Sequence, residues 1–115
     1  MDEERDICLL ETLSAQDRKE YPVYSGVLGY FPDALAAVAH VSFIGNEQHH
    51  PGQPLNWEMD KSKDHLNCLV RHLMQAGTKD DDGLDHDAKV AWRALAHLQV
   101  KLMKEKGFRK PPNGR

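Results

Sequence analysis

The segment from Pro32 to about Gln48 constrains the fold most, because its apolar side chains surround the whole circumference of the helix that it predicts. Pro32 suits the first turn of a helix, and Asp33 follows near the positively charged end. At roughly 100° per residue, the apolar residues of "ALAAVAHVSFIG" point in nearly every direction. Such a helix is normally buried, and a chain of 115 residues has few other elements to cover it. We therefore predict a homo-oligomer that completes the core.

Two further helices are predicted between residues that stop or cap helices. The loop "HHPGQPLNW" contains prolines through which no helix can run. The second helix begins near residue 60 or 62 and runs to about residue 76, where Gly77 ends it. The third begins after the capping residue Asp85 and runs to about Lys104.

The rest of the chain predicts little regular structure. Residues 2–13 form a weak helix at most, and residues 14–29 are interrupted by proline and glycine. No segment alternates between apolar and polar residues as a strand does. The prediction is one all-α domain over residues 1–104, a small bundle of three main helices plus the weak N-terminal helix. A basic, flexible tail follows over residues 105–115.

Composition excludes several classes of function. The net charge is −3 at neutral pH, so duplex DNA or RNA is a poor candidate partner. The start "MDEERDICLL" is acidic where a signal peptide would be basic, and no apolar run has the length of a membrane span. The two cysteines favour free thiols in a reducing compartment. We predict a cytoplasmic protein that binds no membrane.

The predicted second helix carries an apolar stripe and a histidine flank. Its stripe, which we expect to face the core, consists of Leu66, Leu69, Val70 and Leu73. His65, Cys68 and His72 lie together on the neighbouring flank. The two histidines are either ordinary half-buried residues or members of a site that a second helix completes.

The predicted third helix carries a basic row opposite its apolar stripe. The stripe contains the residues Ala91, Trp92, Leu95, Leu98 and Leu102. The opposite side holds His86, Arg93 and His97, with Lys89 beside them. Arginine offers a planar fork to phosphate oxygens and lysine a point charge, so this row predicts a phosphate groove. The alternative is a solvated helix face.

Five aspartates crowd into the turn "DDDGLDHD" between these helices. Their repulsion is relieved either by solvent or by a divalent cation. A cation held there would lie beside His86 and the basic row, as metal-assisted attack on a phosphate requires. The alternative is a set of solvated helix caps.

The spaced blocks "HHPGQPLNW", "KSKDHLNCLVRHL" and "DDDGLDHDAKVAWRALAHLQ" resemble a phage-associated family described as dATP/dGTP diphosphohydrolase-like. The resemblance covers about residues 31–99. Its most specific parts are Pro51-Gly52 with Trp57, Asp64-His65, Arg71-His72, Asp82-Gly83 with His86, and Ala91 to Leu95.

The resemblance implies an all-α protein distantly related to MazG-like and HisE-like nucleotide pyrophosphohydrolases. In those proteins, helices from more than one subunit form a groove, acidic residues hold magnesium, and water attacks a phosphoanhydride to release pyrophosphate. The chain contains no Glu-x-x-Glu pair of the MazG-like kind, and its nearest later pair is Asp82-x-x-Asp85. Aspartate and histidine are therefore the expected ligands.

The first hypothesis is an enzyme that releases pyrophosphate from a purine deoxynucleoside triphosphate with Mg²⁺ or Mn²⁺. Asp82 and Asp85 would bind the metal, and His86 would be a ligand or the general base. The other expected roles are phosphate binding by Arg71, Lys89 and Arg93, phosphate orientation or proton donation by His65 and His72, and stacking on the base by Trp57. Trp92 is expected in the core.

Two other hypotheses remain open. The same groove without turnover would make a binding protein that sequesters a nucleotide, such as a cyclic signalling nucleotide of a host defence system. The third hypothesis is a small helical interaction protein with no ligand. The dependence of nucleotide binding on a divalent cation separates the first two hypotheses.

Overall fold

The computed structural model describes residues 5–114 of the chain. Its α-helices are α1 (Pro32–His49), α2 (His65–Leu73) and α3 (His86–Lys106). Short helical turns precede them, with 3₁₀ geometry at Leu9–Thr12 and Asp17–Glu20 and π geometry at Tyr24–Leu28. The described part of the chain has no strand. The all-α prediction with three main helices is confirmed.

Helix α1 and the start of α3 follow the predicted signals, whereas α2 differs at both ends and stops at Leu73, before the predicted end at about residue 76. Pro32 opens α1, and α3 begins after Asp85 and ends at Gly107, whose φ of +71° is a left-handed C-cap. Helix α2 begins at His65, later than predicted. The predicted cap Ser62 accepts a hydrogen bond from Arg93 instead, at 3.1 Å, so it does not cap α2.

The two ends of the chain lie together. The predicted N-terminal helix is reduced to the 3₁₀ turn, and residues 2–4 lie outside the described residues. The Arg109 amide donates to the Ile7 carbonyl at 2.9 Å, and the Trp57 amide donates to the Asn113 carbonyl at 2.7 Å. Phe108 is buried. The predicted domain boundary and the flexible tail stay predictions.

Helices α2 and α3 pack through their polar faces, which corrects the predicted stripes. His65 and His72 of α2 are buried, and so is His86 of α3. Four of the nine predicted core residues are half-buried, namely Leu69, Ala91, Trp92 and Leu102. The other five are about half exposed: Leu66, Val70, Leu73, Leu95 and Leu98. The reason is that polar side chains of the two helices hydrogen-bond to one another across the helix pair, which offsets the cost of their desolvation. The pattern alone did not reveal those partners.

Helix α1 crosses α3, and the Trp92 indole donates to the Ser42 hydroxyl at 2.8 Å. Most apolar side chains of α1 and the segment before it stay outside, including Tyr24, Tyr30, Phe31 and Phe43. The accessible surface is 8433 Å², against about 6400 Å² for a typical folded monomer of 13.1 kDa. The single chain thus leaves much apolar surface uncovered.

No single helix within residues 5–114 is long and apolar enough to cross a membrane. Only the pair Asp17–Leu28 and Pro32–His49 meets that test jointly, by length and composition, and it is bent by 82°.

Candidate functional site

A cavity of about 630 Å³ lies between the three α-helices and the loop that joins α1 to α2. Its size is typical of small-molecule sites. Two clusters lie at its wall, and we describe them separately. The acidic end consists of His72, Asp80, Asp82 and Lys89, with His86 directly behind His72, and the aromatic end consists of Trp57, His65, Trp92 and Arg93.

Lys89 organises the acidic end. Its ammonium donates to Asp80 Oδ2 and to Asp82 Oδ2, each at 2.7 Å. The turn itself is closed by Gly83 at φ +82°, a conformation that favours glycine. The hydrogen bond from Lys89, aided by the Asp81 amide, lowers the pKa of Asp80 to about 2. The same ammonium lowers the pKa of Asp82. Both carboxylates are therefore charged at neutral pH.

Two buried histidines meet beside these carboxylates. His72 Nδ1 and His86 Nδ1 are 2.8 Å apart, so one ring donates and the other accepts. Their residues are 8% and 3% exposed. Burial lowers the pKa of His72, and the neighbouring His86 and Lys89 lower it further. The neutral form of His72 is therefore favoured in this buried position.

His72, Asp80 and His86 could together hold a metal ion. Each offers one ligand atom, and these atoms all lie within 4.8 Å of one another. Two imidazole nitrogens and one carboxylate oxygen suit a transition metal such as Mn²⁺ better than Mg²⁺, which prefers oxygen ligands. The donor set therefore fits a divalent metal of the first transition row.

Arg93 organises the aromatic end. Its guanidinium donates to His65 Nδ1 at 3.0 Å and to the Ser62 hydroxyl at 3.1 Å, and it lies 5.4 Å from the Trp92 ring. The Trp57 and Trp92 rings pack edge to face, with centroids 5.8 Å apart. Burial lowers the pKa of His65, and the Arg93 charge lowers it further. This end combines flat aromatic surface with a fixed cation.

The antiparallel pairing of α2 and α3 separates the two ends. His65 pairs with Arg93, and His72 with His86, seven residues along each helix. At a rise of 1.5 Å per residue the clusters lie about 10 Å apart. The cavity therefore suits an elongated ligand that is charged at one end and aromatic at the other.

Most residues predicted from the sequence meet in this cavity. Its walls include the predicted residues Trp57, His65, Arg71, His72, Asp82, Lys89 and Arg93. His86 is not part of the wall but hydrogen-bonds to His72. Asp85 lies outside the cavity, where its exposed carboxylate faces Lys79 at 3.4 Å.

Sequence reasoning missed several residues of the site. Asp80 was one of five clustered aspartates, and only the turn geometry distinguishes it. Trp92 was expected in the core but lines the cavity, as do Ser42 and Asn46 of α1. A signal for the last two existed, because polar residues four apart in an apolar helix share one face.

Comparison with known proteins gives one finding and two negative results. The model of the family described as "dATP/dGTP diphosphohydrolase, N-terminal" matches residues 11–109. Neither the curated proteins nor the solved structures compared with the chain gave a match. The matched region contains both ends of the cavity and all three α-helices. The chain therefore belongs to the family described as dATP/dGTP diphosphohydrolase, N-terminal.

Proposed function

We propose that the protein is a metal-dependent phosphohydrolase that releases pyrophosphate from a purine deoxynucleoside triphosphate. The observation that carries this proposal is the single cavity with a charged end and an aromatic end about 10 Å apart along the helix axes. The family description agrees with a nucleotide substrate. Such substrates are found in the cytoplasm, that of the host cell if a phage carries the gene.

The acidic end would hold the metal and the phosphates. His72, Asp80 and His86 would be the metal ligands, and a bound Mn²⁺ would neutralise charge that develops on phosphate oxygens. Arg71 and Lys89 line the same region and would contact the phosphates. This revises the predicted ligand pair, because Asp80 and not Asp82 belongs to the group whose ligand atoms all lie within 4.8 Å of one another, and Asp85 lies outside the cavity.

In this assignment His72 and His86 are ligands and not the general base, because an imidazole nitrogen bound to a metal has no lone pair left to accept a proton. The metal would supply the nucleophile by lowering the pKa of a bound water. His65 lies too far along the helix pair to act on the same atoms, so we assign it to substrate binding. Trp57 would stack on the base.

A second candidate function is a binding protein that sequesters a nucleotide without turnover, including a cyclic signalling nucleotide. One observation favours it: Lys89 already neutralises Asp80 and Asp82 through two hydrogen bonds of 2.7 Å. The acidic end is therefore stable without a cation, and nucleotide binding need not require one.

We also propose that the protein is a homo-oligomer. The surface excess of about 2000 Å² over a typical monomer equals what one partner buries in a large homodimer interface. The exposed leucines on the outer faces of α2 and α3 supply the apolar surface that obligate interfaces use.

The deciding experiment is incubation of the pure protein with each dNTP and NTP in magnesium, manganese or EDTA, with products separated by chromatography. Metal-dependent formation of a nucleoside monophosphate and pyrophosphate supports the enzyme, and Asp80→Asn should abolish it. Intact nucleotide that stays bound through desalting in EDTA supports the binding protein. Neither turnover nor retention contradicts both candidates.

A further inference from the structure

Two buried polar atoms in the cavity wall have no hydrogen-bond partner among the described residues. These are Asn46 Oδ1 on α1 and His65 Nε2 on α2. Their residues are 8% and 5% exposed, and both line the cavity. Buried polar atoms are almost always paired, because an unpaired one loses its hydration without compensation. The two atoms therefore require a partner that the described residues do not supply.

The chemical character of each atom follows from its neighbour. The guanidinium of Arg93 can only donate, so His65 Nδ1 accepts and carries no proton. The neutral ring must then carry its proton on Nε2, which makes that atom a free donor. Asn46 Nδ2 donates to the Gln53 carbonyl at 2.9 Å, so Oδ1 is oriented as a free acceptor.

The free acceptor Asn46 Oδ1 can pair only with those parts of a nucleotide that carry a hydrogen-bond donor. Phosphate oxygens at neutral pH are themselves acceptors, so they cannot pair with Asn46 Oδ1. Base edges and the sugar hydroxyl offer N–H or O–H donors, and the bases also offer acceptor nitrogens and oxygens. Asn46 lies one turn beyond Ser42, which binds the Trp92 indole, and His65 contacts Trp57 and Trp92. Both atoms thus belong to the aromatic end.

We infer that Asn46 and His65 are specificity-determining residues that hydrogen-bond to the nucleoside part of the substrate. Asn46 Oδ1 accepts a hydrogen bond from the base or the deoxyribose, and His65 Nε2 donates to an acceptor on the same nucleoside. The inference rests on the proposed function, since it places the phosphates at the acidic end.

The test measures the affinities for dATP, for dGTP and for inorganic tripolyphosphate, which lacks a nucleoside. The variant His65→Leu removes the donor, and His65→Gln keeps both an acceptor for Arg93 and an N–H donor. We expect His65→Leu to weaken dATP or dGTP binding by about tenfold or more. Its affinity for tripolyphosphate should stay within about twofold, and His65→Gln should recover most of the loss.

Asn46 is tested by the same ratio of nucleotide to tripolyphosphate affinity. Asn46→Leu and Asn46→Asp both lose the hydrogen bond that Asn46 Nδ2 donates to the Gln53 carbonyl. They differ because Asn46→Leu also removes the acceptor, whereas Asn46→Asp keeps one. The ratio should fall in Asn46→Leu and not in Asn46→Asp. Asn67→Ala is the matched control, because Asn67 is exposed on α2 and bonds only locally to Asp64.

Each remaining outcome contradicts the inference in a different way. Equal losses for nucleotide and tripolyphosphate mean that His65 and Asn46 only support the fold. Unchanged affinities mean that water satisfies both atoms. Either result leaves the proposed function intact, provided that the wild type binds nucleotide. A wild type that binds neither nucleotide nor tripolyphosphate overturns the inference and the proposed function together.

Discussion

The interior of the α2–α3 helix pair is mainly polar, whereas its outer surface is largely apolar. Inside lie the buried polar residues His65, His72 and His86, joined by Asn46 of α1. Outside lie half-exposed leucines of the same two helices and the aromatic residues of segment 21–43. Among the described residues, the only buried apolar ones are Met59, Ala96 and Phe108. A globular monomer normally shows the reverse.

The difference shows that the two regions serve different purposes. The polar interior is stabilised by specific partners, such as Lys89 with two carboxylates and Arg93 with His65. Such networks add less stability than an apolar core, but they position groups for chemistry. The apolar exterior is not covered by the described residues, and in the proposed homo-oligomer a second copy would cover it. We expect each region to respond to a different kind of substitution.

The largest effect is expected on the apolar exterior. In the double variant Leu66→Glu/Leu73→Glu, two charges replace side chains that the proposed oligomer buries. We expect dissociation to monomers and a loss of about 3 kcal/mol or more of unfolding free energy per protomer. Light scattering and urea unfolding measure both. Asn67→Glu, an exposed neighbour, should change neither. A wild type that is monomeric at micromolar concentration contradicts the proposal.

The second effect concerns the metal. Mn²⁺ at about a hundredfold excess over its Kd should stabilise the fold by about 2.7 kcal/mol, because it binds only the folded protein. Asp80→Asn should remove this stabilisation, and Asp85→Asn should keep it, since Asp85 lies outside the cavity. Thermal unfolding with and without Mn²⁺ measures the shift. Equal responses of the two variants would reject the assignment of Asp80.

The third effect is a loss of unfolding free energy when one member of the polar interior is removed. Lys89→Met leaves Asp80 and Asp82 without their ammonium partner in a partly buried setting. We expect a loss of about 2 kcal/mol, because removal of one member of a buried charge network leaves the others unpaired. Lys79→Met is the control, since its pair with Asp85 is exposed and should contribute little. Urea unfolding of both variants gives the comparison.

The sequence predicted the elements better than the way they pack. Pro32 and Asp85 act at helix starts through local geometry, which is readable from neighbouring residues. The apolar stripes were identified correctly as stripes, but their side was predicted wrongly. Periodicity shows that Leu66 and Leu73 share a face, yet it does not show whether that face meets its own chain or another copy.

The candidate site was predictable to a similar extent. The basic row of α3 and the histidines of α2 were predicted as a possible groove, and seven of the nine named residues line the cavity. Asp80 could not be selected, because its importance depends on its contact with Lys89 in the folded chain. Lys89 binds two of the five aspartates, Asp80 and Asp82, and only the folded structure shows which two. Local charge density carries no such information.

The smallest effect is a pH dependence that sharpens the contrast between interior and exterior. Burial, reinforced by Arg93, lowers the pKa of His65 in the folded state below its ordinary value of 6.5. The unfolded chain then binds the proton more readily, so the stability contributed by neutral His65 is complete above pH 6.5 and declines as the pH falls below it.

The variant His65→Gln cannot titrate at this position, so its free energy of unfolding should fall less than that of the wild type when the pH is lowered from 7.5 to 5.5. The difference between the two proteins should be smaller than the loss expected for Lys89→Met. His40→Gln is the control, because His40 is exposed on α1. Urea unfolding across this range measures the slopes, and parallel curves for the wild type and His65→Gln would mean that the His65 ring accepts its proton in the folded state.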